Sequence, residues 1–198
     1  MRRIAVSFVV VSVLLLALPA MAQDYPRWEG FGGFSYANVD LDVQRTLFGG
    51  TTLDQNFYGL QLAFSYNPHP NLRLLLLDLG IQSQGADVFP GLRENVFVSQ
   101  ALFGPQFTLR SQKATAFVHA LAGVATTRLV ASVGLGFADL VRKNSFALGF
   151  GGGLDVNWNQ RLAIRVFQAD YIPTRVSGTW QSNFRLGVGV VFKFGGSP

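Results

Sequence analysis

Chemistry has few footholds in this chain. Its 198 residues include two histidines and no cysteine. His119 falls on an alternating apolar stretch, whereas His69 sits in the turn Asn67-Pro68-His69-Pro70-Asn71. A hydrolytic site needs a histidine within hydrogen-bond reach of a nucleophile, oriented by a third group, and no acidic residue is fixed beside His119 by spacing. An inward structural histidine explains it more simply. Two separated histidines, no cysteines and no clustered carboxylates do not make a metal centre, and Asp40-Leu41-Asp42 reads as a solvated loop rather than a calcium site. The glycine-rich stretch 149–153 does not lie between a strand and a helix, so it is no phosphate loop. The sequence therefore predicts no catalysis, no cofactor and no metal.

Charge placed by parity is the stronger signal. Asp78, His119, Asp155, Asp170, Arg185 and Lys193 fall on the small or polar side of alternating runs whose other side is apolar. Arg165 has the opposite parity from Gln168 and Asp170, and one bulge between them puts all three on the same side. Buried charges are seldom tolerated unpaired. These seven residues are thus expected to form a polar network of both signs inside a closed sheet. The alternative is a narrow polar passage for water, ions or small solutes.

The elements that must hold them are strands. In 184–194 (FRLGVGVVFKF), Phe184, Leu186, Val188, Val190, Phe192 and Phe194 alternate with Arg185, Gly187, Gly189, Val191 and Lys193. A period of two sends the two sets to opposite faces, and the run matches the 9–11 residues of a tilted strand crossing a bilayer. In 56–66, Tyr58, Leu60, Leu62, Phe64 and Tyr66 oppose Phe57, Gly59, Gln61, Ala63 and Ser65. In 73–82, Leu75, Leu77, Leu79 and Ile81 are expected outside, with Leu74, Leu76, Asp78, Gly80 and Gln82 inside. The run 96–109 puts Phe97, Phe103, Pro105 and Phe107 out and Gln100, Gly104, Gln106 and Thr108 in. Runs at 28–39, 115–127, 145–158 and 161–172 complete eight. In the first, Phe31 is out of phase with Phe34, which predicts a bulge near Gly32-Gly33 or an inward Phe31.

The connections alternate in length. Those at 40–55, 83–95, 129–144 and 173–179 are long, and those near Pro68, Gln112 and Asn159 are tight. The third long segment is apolar for a loop, with Leu135, Phe137 and Leu140, and its plainest interpretation is an extended hairpin. An even strand number, tight turns at one end and long loops at the other are the pattern of outer-membrane barrels. The expected fold is all-β: an eight-stranded antiparallel up-and-down transmembrane β-barrel, with loops extracellular and both ends of the mature chain periplasmic.

Residues 1–22 read as a cleaved signal peptide, with Arg2 and Arg3, an apolar core at 4–18 and Ala20-Met21-Ala22 as the cleavage site. That leaves 23–198 as one barrel domain. Without Arg2 and Arg3 the 16 basic residues become 14 against 11 acidic, too small and dispersed an excess to imply nucleic acid. An exported chain without disulfides must be held otherwise, and a closed ladder of backbone hydrogen bonds is one means.

From Gln23 to Phe194 the chain resembles the small bacterial outer-membrane β-barrels, the group containing the OmpA transmembrane domain and the opacity-type surface proteins. The terminus Gly189-Val190-Val191-Phe192-Lys193-Phe194 is similar to the group's assembly signal, with Gly189, Phe192 and Phe194 in the matching places. Four residues follow the final aromatic, and Gly187 stands where a polar residue is usual. The resemblance implies outer-membrane lipids and the barrel-assembly machinery as partners, an external ligand through the loops, and a structural or surface-interaction role. Some such barrels are lipid A deacylases that place a serine two residues from the histidine; here those places are Phe117 and Leu121.

Overall fold

The computed structural model describes residues 25–39, 56–89, 92–133, 136–176 and 178–195. Segment 1–22, expected to be a signal peptide, the first long loop with Asp40 and Asp42, and Leu135 lie outside them. The strands are β1 (Trp28–Val39), β2 (Asn56–His69), β3 (Leu72–Phe89), β4 (Leu92–Arg110), β5 (Ala114–Val133), β6 (Gly136–Asn157), β7 (Leu162–Tyr171), β8 (Thr174–Val176), β9 (Thr179–Gln181) and β10 (Asn183–Phe194). No helix occurs among the described residues. Each long strand pairs antiparallel with its sequence neighbour, and β10 pairs with β1, which closes the sheet. The short β8 and β9 continue β7 and β10 beyond Pro173 and Ser182. Pro173 has no N–H to give a ladder, yet its carbonyl accepts from Leu148 N–H at 3.0 Å, so the stave carries on past it. The result is a closed barrel of eight staves.

Parity decides the two faces, as the alternation requires. Leu186 is 51% exposed and its neighbour Arg185 1%. Phe150 and Phe192 likewise point out, and Asp155 points in. The long connections are mostly strand: β3 and β4 stay paired up to Phe89 and Leu92, and β5 and β6 up to Val133 and Gly136. One wall of the barrel, β3 to β6, is therefore taller than the wall formed by β7, β10, β1 and β2.

Three local expectations are settled by register. Phe31 faces inward, and β1 pairs without interruption on both sides, so it has no bulge. The bulge expected in the seventh run is present: Leu154 pairs with Phe167 and Asp155 with Arg165, leaving Val166 as the extra residue. The third run needs a correction. Leu75 pairs with Gly104 and Asp78 with Leu102, so two residues, Leu76 and Leu77, oppose Phe103 alone. That bulge reverses the phase of everything before it. Leu74 and Leu76 are exposed, while Leu75 and Arg73 face the interior.

The interior is filled by side chains, as a barrel of eight strands permits. Leu75, Leu102, Leu121, Ala125, Ala147 and Ile172 pack as one apolar cluster, and Phe57, Val98, Ala37 and Val39 as a second. Phe31, Ala163 and Val191 form a third. Between and below these lie the charged residues.

Candidate functional site in the barrel interior

The interior charges form two connected groups. In the first, Arg185 on β10 donates through Nη2 to Asp78 Oδ2 and to Asp170 Oδ2, both at 2.7 Å, and through Nε to the same Asp170 oxygen at 3.0 Å. Gln61 Nε2 donates to Asp78 Oδ1 at 3.0 Å. His119 Nε2 lies 2.9 Å from Asp170 Oδ1. Gln168 links the next pair: its Nε2 donates to Asp170 Oδ2 at 2.8 Å, and its Oε1 accepts from Arg165 Nη1 at 2.6 Å. Arg165 makes a two-point bond to Asp155, Nε to Oδ1 at 2.7 Å and Nη2 to Oδ2 at 3.1 Å. Such fork-to-carboxylate pairs fix geometry as well as charge.

Arg165 is also held from both sides by rings. Its guanidinium carbon lies 4.3 Å from the centroid of Phe31 and 4.5 Å from that of Phe117. Away from water, a cation over an aromatic face gains most. Room for Phe31 comes from two glycines: Gly33 pairs with Gly189 across β1 and β10, and a Cβ on either would come within 2.9 Å of the Phe31 ring as well as overlapping backbone. An inward aromatic covering glycines is a recognised way to support such a sheet.

The second group sits at the tight-turn end. Glu29 receives Arg73 on one oxygen and Arg110 Nη1 on the other at 2.9 Å, and Asn67 Nδ2 donates to it at 3.0 Å. Asn67 Oδ1 in turn accepts from Arg73 Nε at 3.1 Å and from Arg110 Nη2 at 3.0 Å. Lys193, partly buried, donates to Asn157 Oδ1 at 2.6 Å.

Of the seven residues expected inside, six join the first group and Lys193 stands apart, near the second. Glu29, Arg73 and Arg110 were not expected. Arg73 was missed through the phase error at Leu76-Leu77, Glu29 through the irregular start of β1, and Arg110 because it borders a turn. Paired across the two groups are four carboxylates (Glu29, Asp78, Asp155, Asp170) and four guanidinium groups (Arg73, Arg110, Arg165, Arg185). His119 Nδ1 has no hydrogen-bond partner among the described residues. Gly189 sits half-buried in the ladder opposite Gly33, while Phe192 and Phe194 point outward.

No protein-family model and no curated protein matches the chain. Solved structures do. Ail, the attachment invasion locus protein of Yersinia pestis, superposes with a TM-score of 0.56 at 17% identity, covering 85% of this chain and 99% of Ail. Its complex with the heparin analogue sucrose octasulfate gives 0.58 at 18% identity, again over 85% and 99%. Neisserial surface protein A gives 0.57 at 15% identity, over 84% of this chain and 97% of that one. At these identities the likeness shows a shared fold, the small eight-stranded barrel.

Proposed function

We propose that the chain is a bacterial outer-membrane protein with a structural or surface-interaction role and no catalysis, its lumen closed by the paired charges. One observation carries this: thirty large apolar side chains are exposed around a closed barrel whose interior carboxylates and guanidinium groups are buried and matched, counting the described residues. Soluble monomers rarely expose an apolar patch beyond a few hundred Å², whereas acyl chains solvate such a surface. Aromatics gather towards both ends, Trp28, Phe64 and Phe194 at one and Tyr36, Tyr58, Tyr171 and Phe184 at the other, as interfacial girdles do. In this account residues 1–22 direct export, the tight turns and both mature ends are periplasmic, and the longer wall is extracellular. Gly189, Phe192 and Phe194 serve assembly. Ail, whose complex carries a heparin analogue, supports a loop-borne external ligand.

Heat-modifiable migration in a detergent gel, with recovery only from the outer-membrane fraction, is the expected result. Recovery as a soluble periplasmic protein contradicts it.

A second reading, a narrow channel, is favoured by Gln61 Oε1, Gln82 Oε1, Gln106 Nε2 and His119 Nδ1, buried polar atoms without hydrogen-bond partners among the described residues. Buried polar groups of this kind are usually satisfied by water, and a wet interior is the first requirement of a passage. Planar-bilayer conductance separates the two.

A further inference from the structure

At the tight-turn end the lumen closes on a ring of one sign. Two residues out from buried, inward positions stand Arg27 before Glu29, Arg73 before Leu75, Arg110 after Thr108, Lys113 before Thr115, Arg161 before Ala163 and Lys193 after Val191. A step of two keeps a side chain on the same face. The ladder does run on to the outermost of them: Asn67 N–H donates to the Arg27 carbonyl at 2.8 Å, Asn157 N–H to that of Lys113 at 2.8 Å and Lys193 N–H to that of Arg161 at 2.7 Å. The two remaining staves, β2 and β6, place Asn67 and Asn157 at this level.

Acids do not match these cations. Glu29 already holds Arg73 and Arg110, and Asp155 holds Arg165. The consequence shows at Lys193, which stands directly opposite Glu29 across β1 and β10, yet turns its Nζ to Asn157 on β6. Arg27, Lys113 and Arg161 are exposed and make no ion pair among the described residues. Arg161 and Lys193 are also neighbours in the ladder, and like charges so placed repel. Three adjoining staves, β7, β10 and β1, thus carry three cations with no acid to spare.

We propose that this mouth binds a small soluble polyanion, bearing two or more phosphate or carboxylate groups, through Arg161, Lys193 and Arg27, with Lys113 across the ring. Guanidinium forks take either group at two points. A concave ring of one sign focuses its field and draws in counter-ions, as cationic rings do at the mouths of anion pores. Here the paired charges further in block the way, so the ring is a vestibule and not a path. The bound anion offsets the repulsion between Arg161 and Lys193. That it comes from the periplasm rests on the membrane placement proposed above; the site rests on the barrel alone.

The full mature chain is refolded into nanodiscs of phosphatidylcholine, where both mouths meet water, and titrated calorimetrically with inorganic pyrophosphate. Heat-modifiable migration confirms that each variant is folded. Saturable binding of a single pyrophosphate is expected. Arg161→Gln weakens it by about tenfold, the scale of one hydrogen bond to a charged group, and Arg27→Gln added to it weakens it further. Arg142→Gln, an exposed arginine at the other end of the barrel, leaves it unchanged. Absence of saturable binding, or an equal loss from Arg142→Gln and Arg161→Gln, overturns the site. Binding of oligoglutamate without pyrophosphate assigns the mouth to an acidic segment of a partner protein and also overturns it. A folded chain that stays in aqueous solution and does not enter nanodiscs defeats the membrane placement alone, and the same titration on that soluble chain then decides the site.

Discussion

Arg185 and Asp78 are 107 positions apart in the chain, and Arg185 Nη2 donates to Asp78 Oδ2 at 2.7 Å. They stand on β10 and β3, with β1 and β2 between, so the bond spans the lumen instead of running along the sheet. The same guanidinium holds Asp170 on β7, the stave beside its own. One cation thus ties walls that no ladder joins directly.

Replacing it leaves two buried carboxylates without a counter-charge. Arg185→Leu is expected to cost about 3–5 kcal/mol, the scale for breaking a buried pair from one side. Urea unfolding in vesicles, followed by tryptophan fluorescence, measures it. Adding Asp78→Asn and Asp170→Asn recovers part of the loss, because neutral amides need no cation. A cost below about 1 kcal/mol, the level of an exposed pair, would contradict burial of the network.

Arg165 tests the aromatic clamp. Arg165→Lys keeps the charge but loses the second bond to Asp155 and the flat face between Phe31 and Phe117. A loss of about 1–3 kcal/mol is expected in the same unfolding assay, with Phe31→Leu costing less in the lysine background than in the parent. Additive effects would show that the rings and the cation act separately.

Bulges decide what was legible in the sequence. In β7 the charges Arg165, Gln168 and Asp170 could share the interior only if one residue were extra, and Val166 is that residue. Arg73 carried the same information. Its parity conflicts with that of Asp78, and placing both inside requires the bulge seen at Leu76-Leu77. Four consecutive leucines, Leu74 to Leu77, hide the period there, because either phase leaves leucine on both faces. Glu29 was obscured by the glycines around it, which present no apolar face to set the phase. The alternation in β2, β6 and β10, with large residues against small, was legible because only one assignment of faces keeps the charges from the apolar side.

Gly189 stands where the ladder leaves no room for a side chain. Gly189→Ala places a methyl group against the Gly32 carbonyl, the Gly33 Cα and the Phe31 ring. Forcing extra carbon into packed space costs about 1–3 kcal/mol. The folded fraction on refolding into vesicles should fall, and Phe31→Ala in the same chain should not restore it, since the backbone overlap remains. Full refolding of Gly189→Ala would show that its place in the last strand has no steric cause.

Whether the lumen passes ions depends on whether the paired side chains occlude it. Four acids against four arginines, each paired, predict no resolved conductance steps for the parent in planar bilayers once insertion is confirmed by protease protection. Arg185→Ala with Asp170→Ala, which removes side chains from the crossing point, should give steps. Regular steps from the parent would favour the channel.

The absence of cysteine allows the most direct test of the assignment of sides, by reactivity of single cysteines in vesicles. Ser35→Cys replaces a fully buried lumen residue by one of nearly the same size, and Val188→Cys sits on the exposed face of β10. The prediction is that Val188→Cys reacts with a membrane-soluble maleimide but not with a charged methanethiosulfonate, and that Ser35→Cys reacts with neither until the chain is unfolded. Modification of Val188→Cys by the charged reagent, or of folded Ser35→Cys by it, would contradict, respectively, the lipid-facing exterior or the closed interior.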